Sequence, residues 1–232
     1  MGMKILPPDI NEGESGFSVH GDSIRYGLSA IKSVGKSVVA EIERERSERG
    51  YFTSLEDFVD RMSNKEVNKR TLESFIKSGA LDSLPGTRKQ KLLVSGQLLD
   101  QKNKEKKSVL EGQMSMFDFV AEEDKSSFRI TFPNVGEFSK DELLAYEKEI
   151  LGIYVSGHPI EAYEGLWRKN VTAMATDFIV DEETGSARVT DGGYATIGGM
   201  ITGKTVKTTR NNKMMAFITV EDLVGSVEVI VF

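Results

Sequence analysis

The sequence contains no cysteine, so disulfides, cysteine-based zinc sites and thiol catalysis are excluded. Histidine occurs only at His20 and His158, too few for a histidine-rich metal site. Proline is sparse, at positions 7, 8, 85, 133 and 159, which leaves long stretches open to helix. No apolar run approaches the roughly 18 residues of a membrane span, so no membrane association is expected. No basic-then-apolar leader follows Met1. Met1-Gly2 ahead of Met3-Lys4 does not read as a natural start. A cysteine-free chain without a leader is expected in the cytoplasm.

What is present suits one large domain or two to three small ones: 232 residues, 39% of them hydrophobic, enough for folded cores. The formal net charge is −6, which by itself points away from nucleic acid. That total conceals a segregation. Residues 1–19 carry −2, residues 20–110 carry +5, residues 111–193 carry −10 and residues 194–232 carry +1.

Local patterning divides the chain further. Leu6-Pro7-Pro8-Asp9 forbids helix. Phe17–His20 and Ser23–Tyr26 flank Gly21-Asp22, a two-residue hairpin signal. Helices are expected over Leu28–Lys32, Lys36–Glu48 with Val38, Val39 and Ile42 inward, and Asn68–Lys77 with Leu72, Phe75 and Ile76 inward. Thr53-Ser-Leu-Glu56 reads as a capping box before Leu55, Phe58, Val59 and Met62, which share one face. A basic helix is expected from Thr87 to about Gln101, then a polar linker over 102–135. Ser139-Lys-Asp-Glu142 is a second capping box, opening a helix to about Leu151 with Leu143, Tyr146 and Ile150 inward. Trp167–Val180 reads as a helix plus a short strand. From Tyr194 the period becomes two, predicting strands over 195–201, 215–220 and 226–232. Ending on an apolar strand, the chain is expected to be cut inside or at the end of a β-domain. The fold class is therefore α+β: a helical module, a linker and helical connector, and an incomplete β-domain.

Two turns in the basic segment are alike: Ile31-Lys32-Ser33-Val34-Gly35 before Lys36, and Ile76-Lys77-Ser78-Gly79. A glycine-containing turn feeding a helix allows close backbone approach and presents unpaired N–H groups, a phosphate-binding arrangement. Ordinary αα-turns closed by C-cap glycines account for the same residues, and the second turn is followed by Asp82. Glu122-Glu-Asp124 and Glu182-Glu183 lie in polar stretches and read as solvated, not catalytic.

Ile24–Gly35 resembles the first helix-hairpin-helix of the bacterial replicative DNA polymerase III alpha subunits, the C family of DnaE type. Further stretches resemble that family in order: Pro7–Asn11 its fingers end, Val67–Asp82 its second hairpin, Tyr146–Pro159 a connecting signature, and Met215–Phe232 the strands of its OB domain. Ser33 departs from the glycine common in such turns. The resemblance implies a tandem helix-hairpin-helix module over 27–110 after the end of the fingers at 1–26. A linker with helical connector then spans 111–193, and an OB-fold begins at 194–232. It implies double-stranded DNA on Lys32, Ser33, Val34, Gly35, Lys36, Lys77, Ser78 and Gly79. Single-stranded DNA is implied on the OB segment, where Lys204, Lys207, Arg210 and Lys213 occupy an expected loop and Phe217 is a stacking candidate. Gly198-Gly199 would permit a barrel bend.

Between the charged flanks of the linker sits an apolar island, Gln113-Met-Ser-Met-Phe-Asp-Phe119. Such residues are unusual in a disordered linker and mark an interaction site, or else staple the linker to the helical module. Gln113, Met114, Met116 and Phe117 resemble the peptide by which polymerases engage the sliding clamp, and their placement fits the family. The resemblance further implies other replisome subunits as partners, a parent enzyme that is a magnesium-dependent DNA-directed DNA polymerase, and a catalytic palm outside this stretch. No cofactor is expected here. A free-standing DNA-binding adaptor of repair or recombination, and a protein-interaction scaffold whose basic face meets acidic partners, are the competing readings.

Overall fold

The computed structural model describes residues 4–62, 67–110, 131–182 and 184–232. The chain divides into two compact units, Met1–Ser156 and Gly157–Phe232. It is α+β, with helices dominating the first and strands the second.

The first unit opens with a three-stranded sheet of β1 (Lys4–Leu6), β2 (Ser18–His20) and β3 (Ser23–Arg25), ordered β1-β3-β2. The expected hairpin is present: β2 and β3 are antiparallel with Val19 opposite Ile24. Gly21 takes φ 58° at the first loop position, where a side chain would be strained.

Helices α1 (Lys36–Arg49), α2 (Leu55–Met62), α3 (Lys69–Lys77), α4 (Arg88–Leu110) and α5 (Lys140–Leu151) follow. The apolar stripes of α1, α2 and α3 converge as the spacing predicted. Val39, Ile42, Leu55, Phe58, Val59, Met62, Leu72, Phe75 and Ile76 are all fully buried. Phe52, Phe58 and Phe75 stack edge to face along this core, with centroids 5.2 and 5.8 Å apart. The turn between α1 and α2 is fastened by Arg61, whose guanidinium donates to the carbonyls of Glu45 (2.6 Å) and Gly50 (3.0 Å) and lies over the Phe52 ring. Lys91 is also fully buried and donates to the carbonyls of Leu81 and Leu84, both at 2.8 Å. Burial pushes its ammonium below the ordinary lysine range.

Several expectations are corrected. The cap of α2 lies one residue later than expected: Ser54 Oγ accepts from Asp57 N–H, and Asp57 accepts from Thr53 N–H. The helix expected over Leu28–Lys32 is a single 3₁₀ turn, Leu28–Ala30. Helix α4 runs nine residues past Gln101, because the lysine run 102–107 is helix-compatible and only its charge suggested a linker. Helix α5 has the expected capping box on Ser139, but its buried face is Leu144, Glu147, Ile150 and Leu151. Glu147 turns inward because its carboxylate accepts from the Val155 and Ser156 N–H groups and from Arg88. This pins the chain after α5 onto the helical core, so the first compact unit extends to Ser156.

In the second unit, α6 (Glu164–Asn170) is followed by a 3₁₀ turn, Ala175–Phe178, in place of the expected short strand. Strands β4 (Met200–Thr208), β5 (Met214–Glu221) and β6 (Ser226–Val231) form an antiparallel meander. β4 begins five residues later than expected. The preceding glycines are needed for close approach: a side chain at Gly199 would meet the Glu221 carbonyl, and Gly198 lies against Trp167 and Val171. Trp167 Nε1 donates to the Gly198 carbonyl at 2.6 Å, fastening α6 to the strand entry. Asp222 closes the β5–β6 turn by accepting from Val224 and Gly225 N–H groups, and ties it to Ala175 N–H. Among the described residues, no helix is long and apolar enough to cross a membrane.

Candidate nucleic-acid interface

The first turn is built by three constraints. Val34 is buried and its N–H donates to the Ile31 carbonyl, which anchors the turn from below. Ser33 consequently adopts φ 67°, a left-handed conformation that L side chains resist. Thr71 Oγ1, on α3, donates to the Ser33 carbonyl at 3.3 Å and ties the turn to the second repeat.

Beyond the turn, Gly35 is the N-cap of α1. It provides no side-chain cap, and the first turn of α1 contains no acid. The leading N–H groups and the positive helix end therefore lack a side-chain counterweight from those positions. Lys32 and Lys36 are exposed on either side. An exposed turn, an uncapped helix start and two flanking ammoniums together suit a bound phosphate.

The second turn is different in kind. Ser78 and Gly79 form a Schellman closure: Ala80 N–H donates to the Phe75 carbonyl and Gly79 N–H to that of Ile76. Ser78 is fully buried and its hydroxyl donates to the Phe75 carbonyl. Gly79 has φ 82° and is covered by the Arg88 guanidinium, which also donates to Asp82 and to the Lys77 carbonyl. Ser78 and Gly79 are thus held away from any incoming ligand, and of the second turn only Lys77 reaches the surface.

Lys77 does meet the first turn. Lys32, Ser33, Arg70, Glu73, Ser74, Lys77, Glu149 and Ile150 line one cleft of about 180 Å³. Arg70 and Thr71 went unnoticed in the sequence. Arg70, Ser74 and Lys77 nevertheless recur at helical spacing on the polar side of α3, opposite Leu72, Phe75 and Ile76.

The basic residues of the second unit are distributed differently from expectation. Lys204 and Lys207 lie within β4, and only Arg210 and Lys213 belong to the turn that follows. Lys207 pairs with Met215 and Lys204 with Ile218, so the two lysines project to opposite faces. Lys207 Nζ lies 4.9 Å from the centre of the Phe217 ring. Lys207, Phe217 and Met215 thus share one face, on which an exposed cation stands beside a half-buried aromatic ring.

Gln113, Met114, Met116 and Phe117 lie outside the described residues. Among the described residues, no group of three or more His, Cys, Asp or Glu is placed to hold a metal ion.

A family model described as a helix-hairpin-helix motif matches residues 2–91. Several curated relatives match across the whole chain, all named DNA polymerase III subunit alpha. That of Borreliella burgdorferi is 36% identical over 232 residues, that of Deinococcus radiodurans 37% over 234 and that of Thermus aquaticus 38% over 235. The chain spans only about a fifth of their length: 20%, 17% and 18% respectively.

Proposed function

The chain belongs to the DNA polymerase III alpha family along its entire length, and from that premise we propose that it is a duplex-gripping segment of a replicative DNA polymerase. The observation that carries this reading is the first turn, where strained Ser33 and uncapped Gly35 are flanked by exposed Lys32 and Lys36. Phosphate contacts of this kind position a protein on DNA without reading bases. The full-length protein is a DNA-directed DNA polymerase of the cytoplasm. Its magnesium-dependent chemistry belongs to residues outside this stretch, which itself carries no cofactor and no catalysis.

Three further partners belong to the same reading. The Gln113-Met-Ser-Met-Phe117 peptide engages the sliding clamp. The strands from Met200 onward open an OB-fold that takes single-stranded DNA on the Lys207–Phe217 face, with Arg210 and Lys213 on the backbone. Other replisome subunits complete the assembly.

The test is duplex binding by the chain as a function of salt. Affinity is expected to fall steeply as salt rises. Replacing Lys32 and Lys36 together by Gln should weaken binding about equally on unrelated sequences and reduce the salt slope by about two. Salt-independent binding, or a slope that the double variant leaves unchanged, would refute the assignment.

A further inference from the structure

The cleft beneath the first turn is already partly filled by the chain's own negative groups, and both come from the last turn of α5. The Ile150 carbonyl accepts from the Lys32 N–H at 3.1 Å. One residue earlier, the Glu149 carboxylate lies 3.5 Å from Lys77 Nζ. The two remaining cations of the cleft, the Lys32 ammonium and Arg70, have no carboxylate partner among the described residues, while Glu73 is paired along α3 with Lys69. Glu149 is half exposed and Lys77 mostly covered, with Tyr146 beneath its ammonium. The lysine is thus held in place, whereas the acid can swing away into water.

We propose that Glu149 acts as an internal stand-in for a backbone phosphate of duplex DNA, neutralising Lys77 until a phosphate displaces it onto Lys32, Arg70 and Lys77. This rests on the duplex-binding reading above and names both the gate and a contact, Arg70, that the turn pattern alone did not contain. A carboxylate and a phosphate oxygen make the same charge-assisted hydrogen bond to an ammonium, so they compete for one position. The exchange costs the chain one partly exposed ion pair, and its removal should therefore raise affinity only modestly.

The experiment is a double-mutant cycle on the whole chain, read as affinity for a short duplex at low salt. Glu149→Gln should tighten binding roughly three- to fivefold. Lys77→Gln should weaken it, and the gain from Glu149→Gln should vanish in the Lys77→Gln background. Asp141→Asn, at the other end of α5, supplies the effect of merely removing one negative charge and should give a smaller gain that survives Lys77→Gln. Arg70→Gln should weaken binding with Glu149 either present or replaced. A gain from Glu149→Gln that persists without Lys77, or that only equals that of Asp141→Asn, overturns the gate while leaving duplex binding in place. Absence of duplex binding by every form overturns both.

Discussion

Ser33 is where local strain and proposed function coincide. Its φ of 67° is imposed from both sides, by the buried Val34 and by the Thr71 hydroxyl on its carbonyl. A left-handed residue bearing a Cβ costs about 1–2 kcal/mol, part of which glycine returns through greater freedom in the unfolded chain. Ser33→Gly is therefore expected to stabilise the chain by about 0.5–1 kcal/mol in urea unfolding and to tighten duplex binding. A destabilised Ser33→Gly chain would mean that the serine side chain makes an interaction worth more than its strain. The sequence already marked this position, because serine stood where the pattern favours glycine. It could not mark Arg70, because a lone arginine on a helix face acquires meaning only once Ser33 and Lys77 are seen around the same cleft.

Among the elements, α4 has an unusual beginning. Its first N–H groups are capped locally by the reciprocal Thr87–Gln90 pair and at long range by Glu137, which accepts from Arg88 N–H at 2.8 Å and Lys89 N–H at 3.0 Å. Burial alone would raise the Glu137 carboxyl, but the Phe138, Arg88 and Lys89 N–H groups and the Arg88 charge hold it below the ordinary carboxylate range. A depressed folded pKa means stability that is complete above the unfolded pKa and lost as pH falls through the folded one. Glu137→Ala should thus cost about 1 kcal/mol at neutral pH, as loss of a helix cap does. The difference from the parent chain should shrink below about pH 4. A penalty as large at pH 3 as at pH 7 would contradict the capping role. This contact was not legible in the sequence, since Glu137 and Arg88 lie 49 residues apart. What was legible at this scale were the stripes of α1, α2 and α3, where period and burial agree. The α5 face was missed for a related reason: burial of Glu147 depends on Arg88 and on the N–H groups of Val155 and Ser156, partners that periodicity does not weigh.

Across the whole molecule, charge distribution is more informative than its total. The basic stretch 20–110 supplies every cation of the proposed duplex cleft, while the acidic stretch 111–193 supplies Glu149, its proposed competitor, and Glu147, a structural anchor. Gln113–Phe117 lies in that acidic stretch, and electrostatics disfavours DNA there while leaving apolar anchoring to a protein partner intact. Duplex and clamp binding should accordingly be separable. Replacing Gln113 and Phe117 by Ala removes one register-setting amide and one aromatic anchor. Loss of anchors of this kind typically costs at least about 2 kcal/mol, or some thirtyfold in affinity. The double variant should therefore bind an immobilised sliding clamp at least about thirtyfold more weakly. Its thermal unfolding and duplex affinity should be unchanged. The Lys32/Lys36 variant should show the converse, with weakened duplex binding and normal clamp binding. Clamp affinity that survives the loss of Gln113 and Phe117 would move the clamp contact elsewhere on the chain. A parallel loss of stability would instead assign the island to the packing of the helical unit, because only a residue stapled to that core would carry folding energy as well.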